Sequence, residues 1–192
     1  GVPGRRGQHI ETSSVEPGYS YHLENNFYLM QPILSELAEV YQKLKLPLRS
    51  IENEYGPGQV ECTFEAQSAS QAADDFLLFR TATRQVCRRN GYLASFMCKP
   101  AIEGYCANGW HLHQSLVDLG KGVNLCAAED KKEVLSPLAK SYMAGLLENA
   151  NASSIFATPT IIGYRRFTAN SLAPDRATWG YDHRGTMLRV LG

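Results

Sequence analysis

Apolar residues recur at the spacing of a helix in three long stretches of the chain. The first predicted helix begins at Pro32 and ends before Pro47, with one apolar face formed by Ile33, Leu34, Leu37, Val40, Tyr41 and Leu44. A second helix is predicted over residues 69–89. A third begins with the capping pair Ser136-Pro137 and runs toward Asn149.

Shorter segments alternate apolar and polar residues, as β-strands do. One such strand is predicted over residues 59–65, and another over residues 110–117 places three polar side chains on one face: His111, His113 and Ser115. Further strands are predicted at about 92–98, 155–166 and 185–191, and residues 1–20 are predicted to be a loop. Strands interleaved with long helices, without a regular βαβ repeat, predict an α+β fold in which a mixed, largely antiparallel sheet is backed by helices.

Composition and charge narrow the class of protein. The 192 residues are 44% hydrophobic and 20% charged, so the chain can bury one real core and is not disordered. Nineteen basic and nineteen acidic residues give zero net charge, which argues against nucleic acid or an anionic membrane as partner. Neither a membrane-spanning run nor a signal peptide is evident, and we expect a cytoplasmic protein. The five cysteines form no C-x-x-C pair and are interpreted as reduced, mostly packing thiols.

The first candidate for chemistry is an acidic turn. Gly56-Pro57-Gly58 forces a sharp turn that could fold Glu54 back beside Glu61. Two adjacent carboxylates share either a proton or a hard cation such as Mg²⁺ or Mn²⁺. The alternative is a solvated acidic turn, and the residues alone leave both interpretations open.

Histidine and arginine supply the other candidates. The His111-Leu112-His113 triplet is either a ligand pair or an exposed or core-satisfied pair. After Asn151 every basic residue except His183 is an arginine, the side chain that holds carboxylates and phosphates in two-point contacts. This segment is therefore either an anion clamp or a solvated face. The common nucleotide-binding and hydrolase motifs are not found in the sequence.

Five motifs follow one another in an order that matches a known family. They are Glu54-Tyr55-Gly56-Pro57-Gly58-Gln59-Val60-Glu61, Lys99-Pro100, Gly109-Trp110-His111-Leu112-His113-Gln114-Ser115-Leu116, Pro159 to Arg166 with Ala173-Pro174, and Arg184-Gly185-Thr186-Met187-Leu188-Arg189-Val190. Over about residues 47–192 the chain closely resembles the catalytic domain of glutamine synthetases and the related γ-glutamylamide synthetases. We therefore interpret residues 1–192 as part of such a domain.

The resemblance implies an ATP-dependent ligase that phosphorylates the γ-carboxylate of glutamate and lets ammonia or a primary amine displace the phosphate. Two or more divalent cations, Mg²⁺ or Mn²⁺, would bridge the phosphates. The implied metal ligands are Glu54, Glu61 and His111, and the implied nucleotide-site residues are His113, Ser115 and Arg189. Arg184 would act on the transferred phosphoryl group. The implied substrate-binding residues are Arg166 for the glutamate α-carboxylate, Gly109 in the altered glutamate-binding stretch, and Leu172 for the amine.

Leu172 is a departure that bears on the choice of amine. Ammonia-using members of the family carry a glutamate at this position, just before the Ala-Pro pair, where its charge helps to hold ammonium. An isobutyl group cannot accept a proton, but it can contact an alkyl or aryl group. The resemblance thus favours an amine over ammonia, with ordinary glutamine synthetase as the alternative.

Other departures concern parts that family members carry outside the matched motifs. These are a small N-terminal domain, an upstream strand with two metal-ligating glutamates, and a later segment with another metal-ligating glutamate and a substrate arginine. The sequence is thus expected to be part of a longer protein that forms a homo-oligomeric ring, and to be inactive as this segment alone. A non-catalytic relative with a structural or assembly role is the alternative from another class, although Glu54, Glu61, His111 and three arginines are retained.

Overall fold

The computed structural model describes residues 11–168 and 171–191. The elements are α1 (Glu24–Lys43), β1 (Leu48–Asn53), β2 (Val60–Phe64), α2 (Ala69–Arg89), α3 (Pro137–Glu148), α4 (Ala150–Ala157), α5 (Ile161–Tyr164), β3 (Arg176–Tyr181) and β4 (Thr186–Val190). Strands β1 and β2 form an antiparallel pair, and β3 and β4 form a separate parallel pair. The mixture of helices with small sheets confirms the predicted α+β class. The chain divides into two compact units between Ala107 and Asn108, each of which is described by itself.

The first unit packs α1 and α2 around the β1–β2 hairpin. Helix α1 begins eight residues before the predicted start, because its buried stripe extends back to Met30 and its partly buried flank to Phe27, on the same side as Leu34. Pro32 therefore lies inside the helix, where it lacks one backbone donor, rather than at the first turn. Helix α2 has the predicted bounds, and the Ser68 side chain caps it by accepting from Gln71 N–H.

Aromatic rings form the centre of this core. Phe79 contacts the rings of Tyr41, Phe64 and Phe96 edge-on, with centroids 5.4, 5.1 and 5.5 Å away. Tyr41 is fully buried, and its hydroxyl lies 2.7 Å from Thr83 Oγ1. Each such side chain stabilises the fold by about 1.5–3 kcal/mol through burial alone. The β1–β2 hairpin, which carries the acidic turn, is therefore packed against a buried aromatic core.

The second unit has a smaller core, in which Leu135, Ala139 and Val190 are buried. Helix α3 begins as predicted, with the Ser136 hydroxyl accepting from Ala139 N–H at 3.0 Å. The strand predicted over residues 155–166 is wrong, because this segment lies in α4 and α5. Ala150 and Ala152 favour continued helix after Asn149, and Thr160 caps α5 beyond Pro159.

Two other predicted strands do not form. Residues 92–98 lack strand structure, and residues 110–117 contribute only an isolated bridge, from Val117 to Asn124. A strand requires a neighbour that completes its ladder, and alternation of apolar and polar residues does not supply one. By contrast, the strands predicted at 59–65 and 185–191 are present as β2 and β4.

The cysteines are reduced, as the sequence analysis expected. All five are free thiols, and burial raises the pKa of Cys62 to about 12, which is typical of a packing residue. Residues 11–20, the described part of the predicted loop, contain no helix or strand, while residues 1–10 lie outside the described residues. In the described chain, no helix is both long and apolar enough to cross a membrane.

Candidate active site

The acidic turn joins β1 to β2 in the first unit. Gln59 N–H donates to Gly56 O at 2.9 Å, and Glu54 N–H donates to Gln59 O at 2.9 Å, which closes the turn as predicted. The Gln59 side chain holds the turn through two hydrogen bonds of 3.0 Å. Its Oε1 accepts from Gly56 N–H, and its Nε2 donates to Ala107 O. Glu54 and Glu61 are thereby brought face to face.

The closeness of the two carboxyl groups has an electrostatic consequence. Partial burial, a hydrogen bond with Glu54 and the charge of Glu54 raise the pKa of Glu61 above its ordinary value near 4.5. Glu52, which pairs with Glu61 across the hairpin, adds negative charge. The negative charges of Glu54 and Glu61 are therefore poorly compensated, and their hard oxygens suit Mg²⁺ or Mn²⁺.

The described residues do not contain a complete metal-binding cluster. Within 11–168 and 171–191, no group of three or more His, Cys, Asp or Glu side chains is arranged to hold a metal ion. Glu54 and Glu61 lie in the first unit, whereas His111 lies in the second. Glu54 and Glu61 thus fit a divalent cation as a half-site that supplies two carboxylates.

A histidine that sequence analysis missed lies at the edge of this acidic group. His22 Nε2 is 2.9 Å from Glu52 Oε2, and the Tyr21 ring stacks on the imidazole at 3.8 Å. Hydrogen bonds, first from Ser50 and then from His22, lower the pKa of Glu52. Glu52 is therefore the member of the group that is partnered by a histidine and a serine, and no sequence motif singled out this contact.

A short segment before α1 lies against the acidic turn. We call residues 14–19 the strap. Tyr19 N–H donates to Tyr55 O at 2.6 Å, the Tyr19 hydroxyl donates to Gly104 O at 2.6 Å, and the two tyrosine rings meet edge-on. Glu16, which is only 2% exposed, accepts from the backbone N–H groups of Gly18 and Gly58. The sequence predicted only a loop here, and no local pattern marked this contact.

The second unit gathers the predicted basic residues around His111. Its pKa is lowered by partial desolvation and then by the nearby charges of Arg166, Arg189, His113 and Arg184. Gly109 explains how the ring and Arg166 approach so closely, since a Cβ there would lie 2.9 Å from His111 Nε2 and 3.2 Å from Arg166 Nη2. The positive charges of Arg166, Arg184 and Arg189 therefore all act on one imidazole.

Arg189, which lies in β4, is partly buried. Its Nη2 donates to the carboxylate of Asp182, whose own backbone N–H donates to Val190 O at 3.0 Å. Its Nε is buried and has no hydrogen-bond partner among the described residues. A buried donor without an acceptor is costly, so this geometry favours an anionic ligand.

Like His111 and Arg184, the other predicted residues of the second unit are exposed. His113 and Ser115 are both exposed, and the same-face argument for them does not hold because residues 110–117 form no strand. Leu172 is 73% exposed. The residues on either side of it line a hollow of about 490 Å³ together with Asp175, Arg176, Thr178, His183, Gly185 and Thr186.

Comparison with known proteins identifies the class to which this fold and these residues belong. A family model described as "Glutamine synthetase, catalytic domain" matches residues 5–192, and the chain belongs to that family. A crystal structure of a glutamine synthase homologue superposes with a TM-score of 0.81 at 27% identity, covering 98% of this chain and 41% of that one.

Two curated relatives are more specific. The chain is 46% identical over 192 residues to a γ-glutamylanilide synthase from Acinetobacter sp., which covers all of this chain and 38% of that protein. It is 30% identical over 159 residues to a glutamate–isopropylamine ligase from Pseudomonas sp., which covers 83% of this chain and 34% of that protein. The chain therefore spans little more than a third of the length of these relatives.

Proposed function

We propose that the protein containing this chain is an ATP-dependent ligase that joins the γ-carboxylate of glutamate to a primary amine. The observation that carries the proposal is the convergence of Arg166, Arg184 and Arg189 on His111. These are the positions at which the family resemblance expects the glutamate α-carboxylate and the phosphates. Three guanidinium groups near an imidazole whose pKa is lowered are suited to binding anions.

The reaction has two steps. A γ-carboxylate oxygen of glutamate attacks the terminal phosphorus of ATP, which forms γ-glutamyl phosphate and releases ADP. The amine nitrogen then attacks the γ-carbonyl carbon, the bond from that carbon to the phosphate oxygen breaks, and the amine loses a proton. Both steps require positioning and neutralisation of negative charge, which is what fixed guanidinium groups provide.

Each residue has a role within this scheme. Arg166 would hold the glutamate α-carboxylate, Arg184 would stabilise the phosphoryl group as it is transferred, and the buried Nε of Arg189 would donate to a nucleotide phosphate. Gly109 leaves room for His111 and Arg166 to approach one another. His113 and Ser115 are assigned to the nucleotide site on the resemblance alone.

Glu54 and Glu61 would bind a divalent cation, Mg²⁺ or Mn²⁺, and His111 another. The cations would supply charge neutralisation at the phosphates. The raised pKa of Glu61 supports this assignment, since a carboxyl group crowded by a second one gains most from a cation. We also propose that the working protein is a homo-oligomer, in line with the family resemblance.

The names of the two relatives favour an amine over ammonia as the second substrate. One relative is named for an anilide and the other for isopropylamine. The exposed isobutyl group of Leu172 is consistent with that preference, because it offers apolar contact and no proton acceptor. Each buried CH₂ of an amine is worth about 0.8 kcal/mol, so a short alkyl group gains about tenfold or more.

The test is an assay of the purified full-length protein that contains this chain, with ATP, Mg²⁺, glutamate and one nitrogen donor at a time. The donors are ammonia, methylamine, isopropylamine and aniline, and both phosphate release and the amide product are measured. Arg166→Ala is expected to raise KM for glutamate strongly, whereas Arg165→Ala, at the exposed neighbouring position, should change it little. No product with any donor would refute the ligase proposal, and a preference for ammonia would refute only the amine assignment.

A further inference from the structure

Glu16 is the most enclosed carboxylate in the described chain, at 2% exposure. Its Oε2 accepts from the N–H of Gly18 at 2.7 Å, and its Oε1 accepts from the N–H of Gly58 across 42 residues of sequence. Both oxygens are therefore engaged by backbone donors. A buried charge is tolerated only when it is paired or hydrogen-bonded, so these two contacts account for the position of Glu16.

The N–H of Gly58 belongs to the turn that carries the acidic pair. Gly58 has a φ of +62°, a conformation that glycine adopts without strain, and this conformation leaves its N–H available to Glu16. A Cβ at Gly18 would lie 2.3 Å from the backbone nitrogen of Pro57. The strap and the turn thus touch along their backbones, and Glu16 lies between them.

We propose that Glu16 is a positioning residue for the cation half-site, a role that rests on the proposed function of Glu54 and Glu61. Its carboxylate holds the Gly56-Pro57-Gly58 turn at Gly58, whereas the Gln59 side chain holds it at Gly56, and so Glu16 sets the separation of the two acidic side chains. Glu16 is not itself a cation ligand, because each oxygen already accepts a backbone N–H. The charges that act on Glu61 come from Glu54, Glu52 and His22, so Glu16 acts through geometry.

The first experiment compares Mn²⁺ affinity between the wild-type protein and Glu16→Gln. Glutamine has the same size but only one acceptor oxygen, so one of the two backbone donors loses its partner. We expect Mn²⁺ to bind about tenfold or more weakly, as is typical when groups that orient metal ligands are lost. Glu65→Gln removes one charge from an exposed position just after β2 and should leave Mn²⁺ affinity unchanged.

A second control separates positioning from general loss of stability. Tyr41→Phe weakens the core of the same unit without touching the turn, so a folded Tyr41→Phe protein should bind Mn²⁺ as the wild type does. Equal weakening in Tyr41→Phe and Glu16→Gln would overturn the proposal. Unchanged affinity in Glu16→Gln, together with loss in Glu61→Ala, would also overturn it. Unchanged affinity in Glu61→Ala would instead refute the cation half-site itself.

The wild-type protein provides a measurement that does not depend on whether Glu16→Gln folds. If Glu16 organises the turn for the cation, then the cation must in return stabilise the contacts of Glu16. Adding a diamagnetic cation, Mg²⁺, at several times its Kd should therefore slow hydrogen exchange of the Gly18 and Gly58 amides by about threefold or more. Exchange of both amides that is unaffected by saturating Mg²⁺ would overturn the positioning role.

Discussion

His111 Nε2 and Arg166 Nη2 lie within 3.2 Å of a single point in space, the point that a Cβ on Gly109 would occupy. The two side chains come from segments that are 55 positions apart, as their residue numbers give directly. The pKa of His111 is lowered first by partial burial and then by the nearby positive charge of Arg166, which disfavours a second cation. Gly109 is thus the residue whose lack of a side chain leaves room for both groups at this point.

We predict that Gly109→Ala leaves the protein folded but raises KM for glutamate or lowers kcat/KM by about a hundredfold, since displacement by 1 Å is enough for such a loss. The atoms displaced are the free ends of side chains, which move at low cost. Gly145→Ala in α3 is the control: nothing lies within 4 Å of its Cβ, and the substitution should stabilise the helix by about 0.5–1 kcal/mol. A Gly109→Ala protein with wild-type kinetics would show that the contact is incidental.

We predict a pH-dependent stability difference between the wild type and Glu61→Gln when divalent cations are removed. The pKa of Glu61 is raised in the folded state, so its contribution to stability is present at pH values below its ordinary pKa near 4.5 and is lost as the pH rises through the raised pKa. The Tm of Glu61→Gln should therefore increase relative to that of the wild type over that rise. Thermal unfolding followed by circular dichroism measures this difference, and a difference that is constant with pH contradicts the prediction.

The amine preference is predicted to depend on Leu172. Leu172→Glu should shift the ratio of kcat/KM values toward ammonia and away from isopropylamine and aniline, because a carboxylate attracts ammonium and a charged group repels apolar substituents. Leu172→Met, which preserves an apolar side chain, is the matched control and should keep the wild-type order. An unchanged ratio in Leu172→Glu would assign this 73% exposed side chain to another role.

The core of the first unit should depend on the Tyr41 hydroxyl. Tyr41→Phe removes the 2.7 Å contact with Thr83 and is expected to lower the free energy of unfolding by about 1 kcal/mol. Tyr28→Phe removes an exposed hydroxyl that donates to Glu24 at 2.9 Å, and it should change stability by less than about 0.5 kcal/mol. Urea denaturation of both variants gives the comparison, and equal effects would contradict the burial argument.

Local signals in the sequence were enough for several elements. Helix α2 and the Ser136 cap of α3 follow from spacing and capping chemistry, and the turn at Gly56-Pro57-Gly58 follows from the backbone preferences of glycine and proline. These features depend on residues within a few positions of one another. The facing of Glu54 and Glu61 was predictable for the same reason, since one turn separates them.

Tertiary structure decided what depends on distant partners. Residues 110–117 alternate as a strand does, yet within residues 11–168 and 171–191 no neighbouring strand completes a ladder with them. Alternation in the sequence can therefore indicate which residues could form a strand, but it cannot supply the partner.

The contacts that organise the two candidate sites also lie beyond local sequence. Glu16 meets Gly58 across 42 positions, and Arg166 and Arg189 reach His111 from different elements. The sequence by itself determined which residue types were available for anion and cation binding. Only the fold brought them together, because hydrogen bonds and charge contacts between distant segments form only when packing of the intervening chain brings those segments into contact.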